Sequence, residues 1–151
     1  MKLMRDNIYE FNNSSKETII SEYLRLQKNY SKLYGNEKTI VLMQVGSFHE
    51  CYSTKSEGYD LFKLSELLNT VVSKKNKKNL NVDRKNPYML GFPTIATHKF
   101  LRILVENGYH VVKIDQVTPP PSPQRKVTGI YSPGTYIDNL SDSNSNNILS
   151  I

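Results

Sequence analysis

Between Thr39 and Tyr52 the chain reads TIVLMQVGSFHECY, and this stretch constrains the fold more than any other. Thr39 to Val45 carry β-branched and long apolar residues almost without interruption, the pattern of a strand buried on both faces. Gly46 then frees the backbone for a turn or for close approach to another chain. If the following segment stays extended, Phe48 and Glu50 point the same way, because strand side chains alternate with period two. An aromatic beside a carboxylate is an unusual pair to present on a chain of formal net charge +6.

The surrounding pattern alternates helices with strands. Ser14-x-x-Glu17 can form a capping box, and a helix is expected to follow to about Leu33, with Ile20, Tyr23, Leu24 and Gln27 or Tyr30 on one face and Gly35 as its stop. A second helix is expected over Lys55 to Leu68, burying Leu61, Leu64 and Leu68, with Gly58 weakening its first turn. Short strands are expected at Thr70–Ser73 and Tyr88–Gly91, joined by a basic loop. Thr97 is the expected cap of a third helix that buries Phe100, Leu101, Leu104 and Val105 and ends at Gly108. Strands at Tyr109–Val117 and Lys126–Tyr131 flank a Pro-rich loop that cannot join a sheet, and Pro133-Gly134 makes the closing turn. This order predicts an α/β domain, a mixed β-sheet flanked by about three α-helices.

A chain of 151 residues fits one domain with a single core. We expect a polar leader over 1–13, the domain over 14–139, and from 140 to 151 a linker running into a following domain. The linker composition spans Ser141 to Asn147, and the apolar Ile148 to Ile151 reads as the start of another strand. The basic balance favours an anionic partner. The single Cys51 can form no internal disulfide and reads as a small buried hydrophobe. No stretch is long and apolar enough to cross a membrane, and Met1 to Asn13 lack a secretory core, so an intracellular place is expected. His49, His98 and His110 have no metal-site spacing.

Gly46-Ser47-Phe48-His49-Glu50 after a buried strand resembles the Gly-x-Phe-x-Glu element of the mismatch-recognition domain of MutS-family DNA mismatch repair proteins. Other elements match in order. Tyr23 to Leu26 resembles the opening helix, and Leu90-Gly91-Phe92-Pro93, with His98, Phe100 and Leu101, is similar to the family's Ala-Gly-Ile-Pro run. Val111 to Gln116 resembles the strand ending Glu-Gln; Arg125-Lys126-Val127 and Ser132-Pro133-Gly134-Thr135 resemble the closing elements. The Lys- and Asn-rich style resembles the giant-virus and organellar branch.

The resemblance implies that Phe48 enters the minor groove as a wedge on a mispaired base and that Glu50 hydrogen-bonds the same base. Gly46, Ser47 and His49 complete the motif. The family usually has Asp and Tyr where this chain has Ser47 and His49; losing an acid eases phosphate repulsion, and a His adds a switchable charge. Lys74, Lys75, Lys77, Lys78, Arg84, Lys85 and Arg125 are candidates for phosphate contacts, although such charge runs are as often plain solvated loop. The implied partner is double-stranded DNA with mispaired or unpaired bases, held by a homodimer formed through downstream domains in a DNA-containing compartment. No cofactor is expected in this segment; ATP and Mg are implied for a parent protein whose ATPase lies downstream.

An enzymatic segment is not expected. There is no G-x-x-x-x-G-K-[ST] loop. Gly129-Ile130-Tyr131 and Tyr136-Ile137-Asp138 superficially resemble a GIY-YIG nuclease, but they fall at the end of the domain and too close together. The remaining alternative is a divergent module that contacts DNA or protein in general and no longer discriminates mismatches.

Overall fold

A computed structural model describes residues 16–134 of the chain, with side chains from Ile19 onward. Helix α1 (Lys16–Tyr34) leads into β1 (Thr39–Val45) and β2 (Phe48–Ser53). Then come α2 (Leu61–Leu68), β3 (Ser73–Lys74), β4 (Tyr88–Pro93), a 3-10 turn (Thr94–Ala96) and α3 (Thr97–Glu106), followed by β5 (His110–Gln116) and β6 (Arg125–Tyr131). The strands form one mixed sheet in the order β3-β4-β2-β1-β5-β6, with β1 and β5 parallel and the other pairs antiparallel. The expected α/β architecture is therefore the observed one.

Burial explains why β1 occupies the centre. Ile40, Val41, Leu42 and Met43 are fully buried, and each such side chain contributes roughly 1.5–3 kcal/mol, more than the ~1 kcal/mol of a typical hydrogen bond. β2 pairs with β1 only at Met43, Gln44 and Val45. Helix α1 serves the rest of that edge. Gln27, buried, accepts from Val41 N at 2.9 Å and donates to Thr39 O at 2.8 Å, so one side-chain amide stands in for a missing strand. Tyr23 OH donates to Val41 O at 2.8 Å. Ile20, Tyr23, Leu24, Gln27 and Tyr30 all lie on the buried face, and Gly35, at φ +115°, ends the helix.

Several boundaries differ from expectation, each for a local reason. The second helix starts at Leu61 rather than Lys55. Gly58 sits at φ +91°, where an added Cβ would be 2.8 Å from Ser53 Cβ, and Thr54 Oγ1 bonds Ser56 N and Glu57 N to hold a turn. Asp60 caps α2 instead, accepting from Phe62 N and Lys63 N. Left-handed Asn69 closes that helix, which shifts the next strand to Ser73–Lys74. Thr97 does not cap α3. It is the first helical residue, and its hydroxyl is spent on His49. The capping Ser14, the leader, the linker and Ile148 to Ile151 lie outside the described residues.

Candidate nucleic-acid interface

The hairpin tip is short. Val45 and Phe48 pair across a two-residue loop of Gly46 and Ser47, and Gly46 takes φ +63°. Only the first loop residue needs the left-handed region, the requirement of a II′-type hairpin turn. Neighbours brace the tip. Gly46 N donates to Gln116 Oε1 at 2.6 Å, Gln116 N donates to Gln44 Oε1 at 2.8 Å, and Gln44 Nε2 donates to Gly46 O at 2.9 Å. From the other side Thr94 N donates to Ser47 O at 2.8 Å.

Phe48 opens β2 at this tip and is 42% exposed, whereas the next residue, His49, is 3% exposed. Alternation along an unbroken strand therefore puts Phe48, Glu50 and Tyr52 on one face and His49, Cys51 and Ser53 on the other. Glu50 is half-buried and accepts a hydrogen bond from the Tyr52 hydroxyl. Burial, and then the charge and hydrogen bond of Glu50, push the Tyr52 phenol well above its ordinary value, so it stays a donor. Tyr52 is itself packed edge-on to Tyr23 of α1, ring centroids 5.3 Å apart. The acid thus stands on an aromatic column. Opposite it in β4 is Gly91, where a Cβ would lie 3.0 Å from His49 O and 3.2 Å from Glu50 Cγ.

Beneath the motif lies a polar cluster that the motif's spacing does not announce. His49 Nδ1 is 2.5 Å from Thr97 Oγ1 on α3, and its Nε2 is 2.6 Å from Asp115 Oδ1 on β5. Asp115 Oδ2 also accepts from Lys113 Nζ at 2.6 Å and from the Thr128 hydroxyl at 2.5 Å. Burial alone would raise the Asp115 carboxyl, but hydrogen bonds from His49, Lys113 and Thr128 outweigh it and hold the group well below the usual carboxylate range. His49, 3% exposed, is turned into the domain rather than presented at the surface. The signal was in the sequence: the alternation that aligns Phe48 with Glu50 sends His49 the other way.

Arg125 also differs from its expected surface position. It is 2% exposed, and its Nε donates to Gln44 O at 2.8 Å under the tip. Burial pulls its guanidinium below the ordinary arginine value, and the nearby Tyr52 and Glu50 oppose that shift. Cys51 is fully buried, and burial pushes its thiol up to about 12. It is a core residue with no nucleophilic role.

The other basic candidates gather at the far end of the sheet. Lys74 pairs with Tyr88, which pairs with Ser53, whereas Phe48 pairs with Pro93. Five residues of strand separate these ends, about 17 Å. Lys75, Lys77, Lys78 and Lys85 are exposed there. Lys74 Nζ donates to Asn79 O at 2.9 Å, and Arg84 bonds both Glu57 oxygens, at 2.5 and 3.0 Å. Asn86 ties the loop together, its Nδ2 donating to Asn81 O at 2.9 Å and its Oδ1 accepting from Asn76 N at 2.8 Å. At the wedge end, the exposed cation near the start of α3 is Lys99, with His98 beside it.

Among the described residues, no group of three or more His, Cys, Asp or Glu could hold a metal ion, and no helix is long and apolar enough to cross a membrane.

Fold and tip together define a class: a mixed-sheet α/β domain that holds an aromatic and an acid side by side at a braced hairpin end. The chain belongs to the MutS family, for the profile described as MutS domain I matches residues 20–140. It is 36% identical over 140 residues to a putative DNA mismatch repair protein MutS homologue of Acanthamoeba polyphaga mimivirus, covering 91% of this chain and 12% of that protein. It is 33% identical over 132 residues to the DNA mismatch repair protein MutS of Petrotoga mobilis, covering 83% of this chain and 14% of that protein. The corresponding protein of Streptococcus thermophilus is 28% identical over 134 residues, covering 86% of this chain and 14% of its own length. The chain thus spans only about an eighth of the length of these relatives, and the giant-virus side of the family is represented among them.

Proposed function

We propose that this chain is the mismatch-reading domain at the N-terminus of a larger MutS-type repair protein. Phe48 is the wedge and Glu50 the hydrogen-bonding partner of the mispaired base. The observation that supports this most is the pairing of a 42%-exposed Phe48 with a half-buried, oriented Glu50 on one face of a braced hairpin. Unstacking a base step costs a few kcal/mol and costs less where pairing is already defective, so a rigid wedge selects mismatches by deformability rather than by sequence. The carboxylate adds discrimination. A well-paired base has its Watson–Crick edge occupied by its partner, whereas a mispaired one leaves part of that edge free for the acid.

Lys75, Lys77, Lys78 and Lys85 supply sequence-independent phosphate contacts on this reading, and the buried Arg125 supports the tip instead. ATP and Mg belong to a part of the parent outside this chain. So do the contacts that would make a dimer around DNA in a DNA-containing compartment. The deciding experiment measures binding of the full-length protein to matched and mismatched duplexes at one fixed salt concentration, with and without Phe48→Ala. A mismatch preference that collapses in the variant while matched binding persists is expected. Equal binding of both duplexes by the wild type would leave only a general DNA or protein contact.

A further inference from the structure

We propose that His49 is a positioning residue for the Phe48 wedge, acting through its simultaneous bonds to Thr97 and Asp115; this rests on the wedge reading above. His49 lies between Phe48 and Glu50 in sequence and on the opposite face of β2. Adjacent strand residues act as the two ends of a lever: tipping β2 about its own axis moves Phe48 one way and His49 the other. The backbone bonds to β1 and β4 lie in the plane of the sheet and resist that rotation poorly. Bonds made off that plane, at the end of a side chain, resist it well.

His49 supplies two, 2.5 Å to Thr97 on α3 and 2.6 Å to Asp115 on β5, from opposite sides of one ring. Both partners are themselves fixed. Thr97 opens α3, one 3-10 turn after the Pro93 that pairs with Phe48. Asp115 is held by Lys113 and by Thr128 of β6, one residue before the Gln116 that grips Gly46. The clamp therefore joins β2, β5, β6 and α3 under the wedge, where the reaction force of a kinked duplex would be felt. A ring that carries its proton on Nε2 donates to the carboxylate and accepts from the threonine hydroxyl at Nδ1, so one side chain satisfies both partners. Asp115 and Lys113 are the charged groups in the cluster.

The test uses the full-length protein and a duplex with 2-aminopurine beside a mismatch, read at saturating protein so that affinity drops out. Wild type should raise the fluorescence by unstacking the probe, and Phe48→Ala should not. Thr97→Val and His49→Phe should lose most of that rise and about tenfold in mismatch preference, with matched-duplex affinity kept within about twofold. His49→Gln, which keeps an N–H toward Asp115, should recover part of the signal. If His49→Phe fails to fold, Thr97→Val decides, since it removes only a hydroxyl. Full fluorescence and preference in Thr97→Val, alongside loss in Phe48→Ala, would overturn the positioning role and leave the wedge standing. Equal loss of matched and mismatched binding in the clamp variants would reduce His49 to a packing residue. No change in Phe48→Ala would remove both ideas together.

Discussion

Replacing Gly91 with Ala tests how tightly Glu50 is seated. The backbone there is outside the left-handed region, so Ala meets no conformational barrier. What it meets is matter: its Cβ would stand 3.0 Å from His49 O and 3.2 Å from Glu50 Cγ. The first neighbour is backbone in a paired strand and cannot yield without moving β2. Overpacking of this kind costs about 1–3 kcal/mol, partly offset by ~0.5–1 kcal/mol from the lower chain entropy of Ala. A net loss of about 1–2 kcal/mol corresponds to a melting temperature lower by roughly 4–8 °C for a domain of this size. Calorimetry of the chain reads the first effect; mismatch preference of the full-length protein reads the displacement of Glu50. In a Glu50→Ala background the Cγ contact is gone, so the added binding loss from Gly91→Ala should shrink. Melting at or above the wild-type temperature with unchanged preference would refute the claim that this glycine sets the position of the acid.

Three further outcomes follow from the same geometry. Gly46→Ala finds open space but must hold φ +63°, so it should cost about 1–2 kcal/mol and lower the urea midpoint at constant slope; an unchanged midpoint would mean that the tip relaxes freely. Changing Lys75, Lys77 and Lys78 to Gln should reduce the salt dependence of DNA binding by about one unit of log–log slope for each phosphate no longer engaged, leaving mismatch preference intact. A slope equal to wild type would put the duplex elsewhere. Asp115 has a folded-state value depressed below its unfolded one, so its contribution is present above the ordinary carboxylate range and is lost as pH falls through the folded value. Asp115→Asn should therefore lower stability near neutrality and flatten the acid loss below about pH 4, and parallel pH–stability curves would contradict that.

Much of the fold was legible because burial leaves a period in the sequence. The run from Thr39 to Val45, the helix face of Ile20, Tyr23, Leu24 and Gln27, and the stripe of Phe100, Leu101, Leu104 and Val105 each carry their own periodicity. Boundaries were less legible where one residue overrode a pattern. Gly58 stopped a helix that the leucine spacing alone would have extended, and Thr97 gave up a capping role for a partner 48 positions away.

The placing of Phe48 and Glu50 on one face was determined by sequence alone, since the two residues and the strand period that aligns them are local. What holds the pair was decided only in three dimensions. Gln116 reaches Gly46, Arg125 reaches Gln44, and Asp115 reaches His49 across 66 to 81 positions of chain. No local preference encodes such contacts, because they exist only once β5 and β6 have been laid beside β1. Charge ran the other way. Arg125 and Lys75 are both cations in the sequence, yet the sheet buries one beneath the tip and leaves the other in solvent, because a side chain's neighbours, rather than its type, set its role.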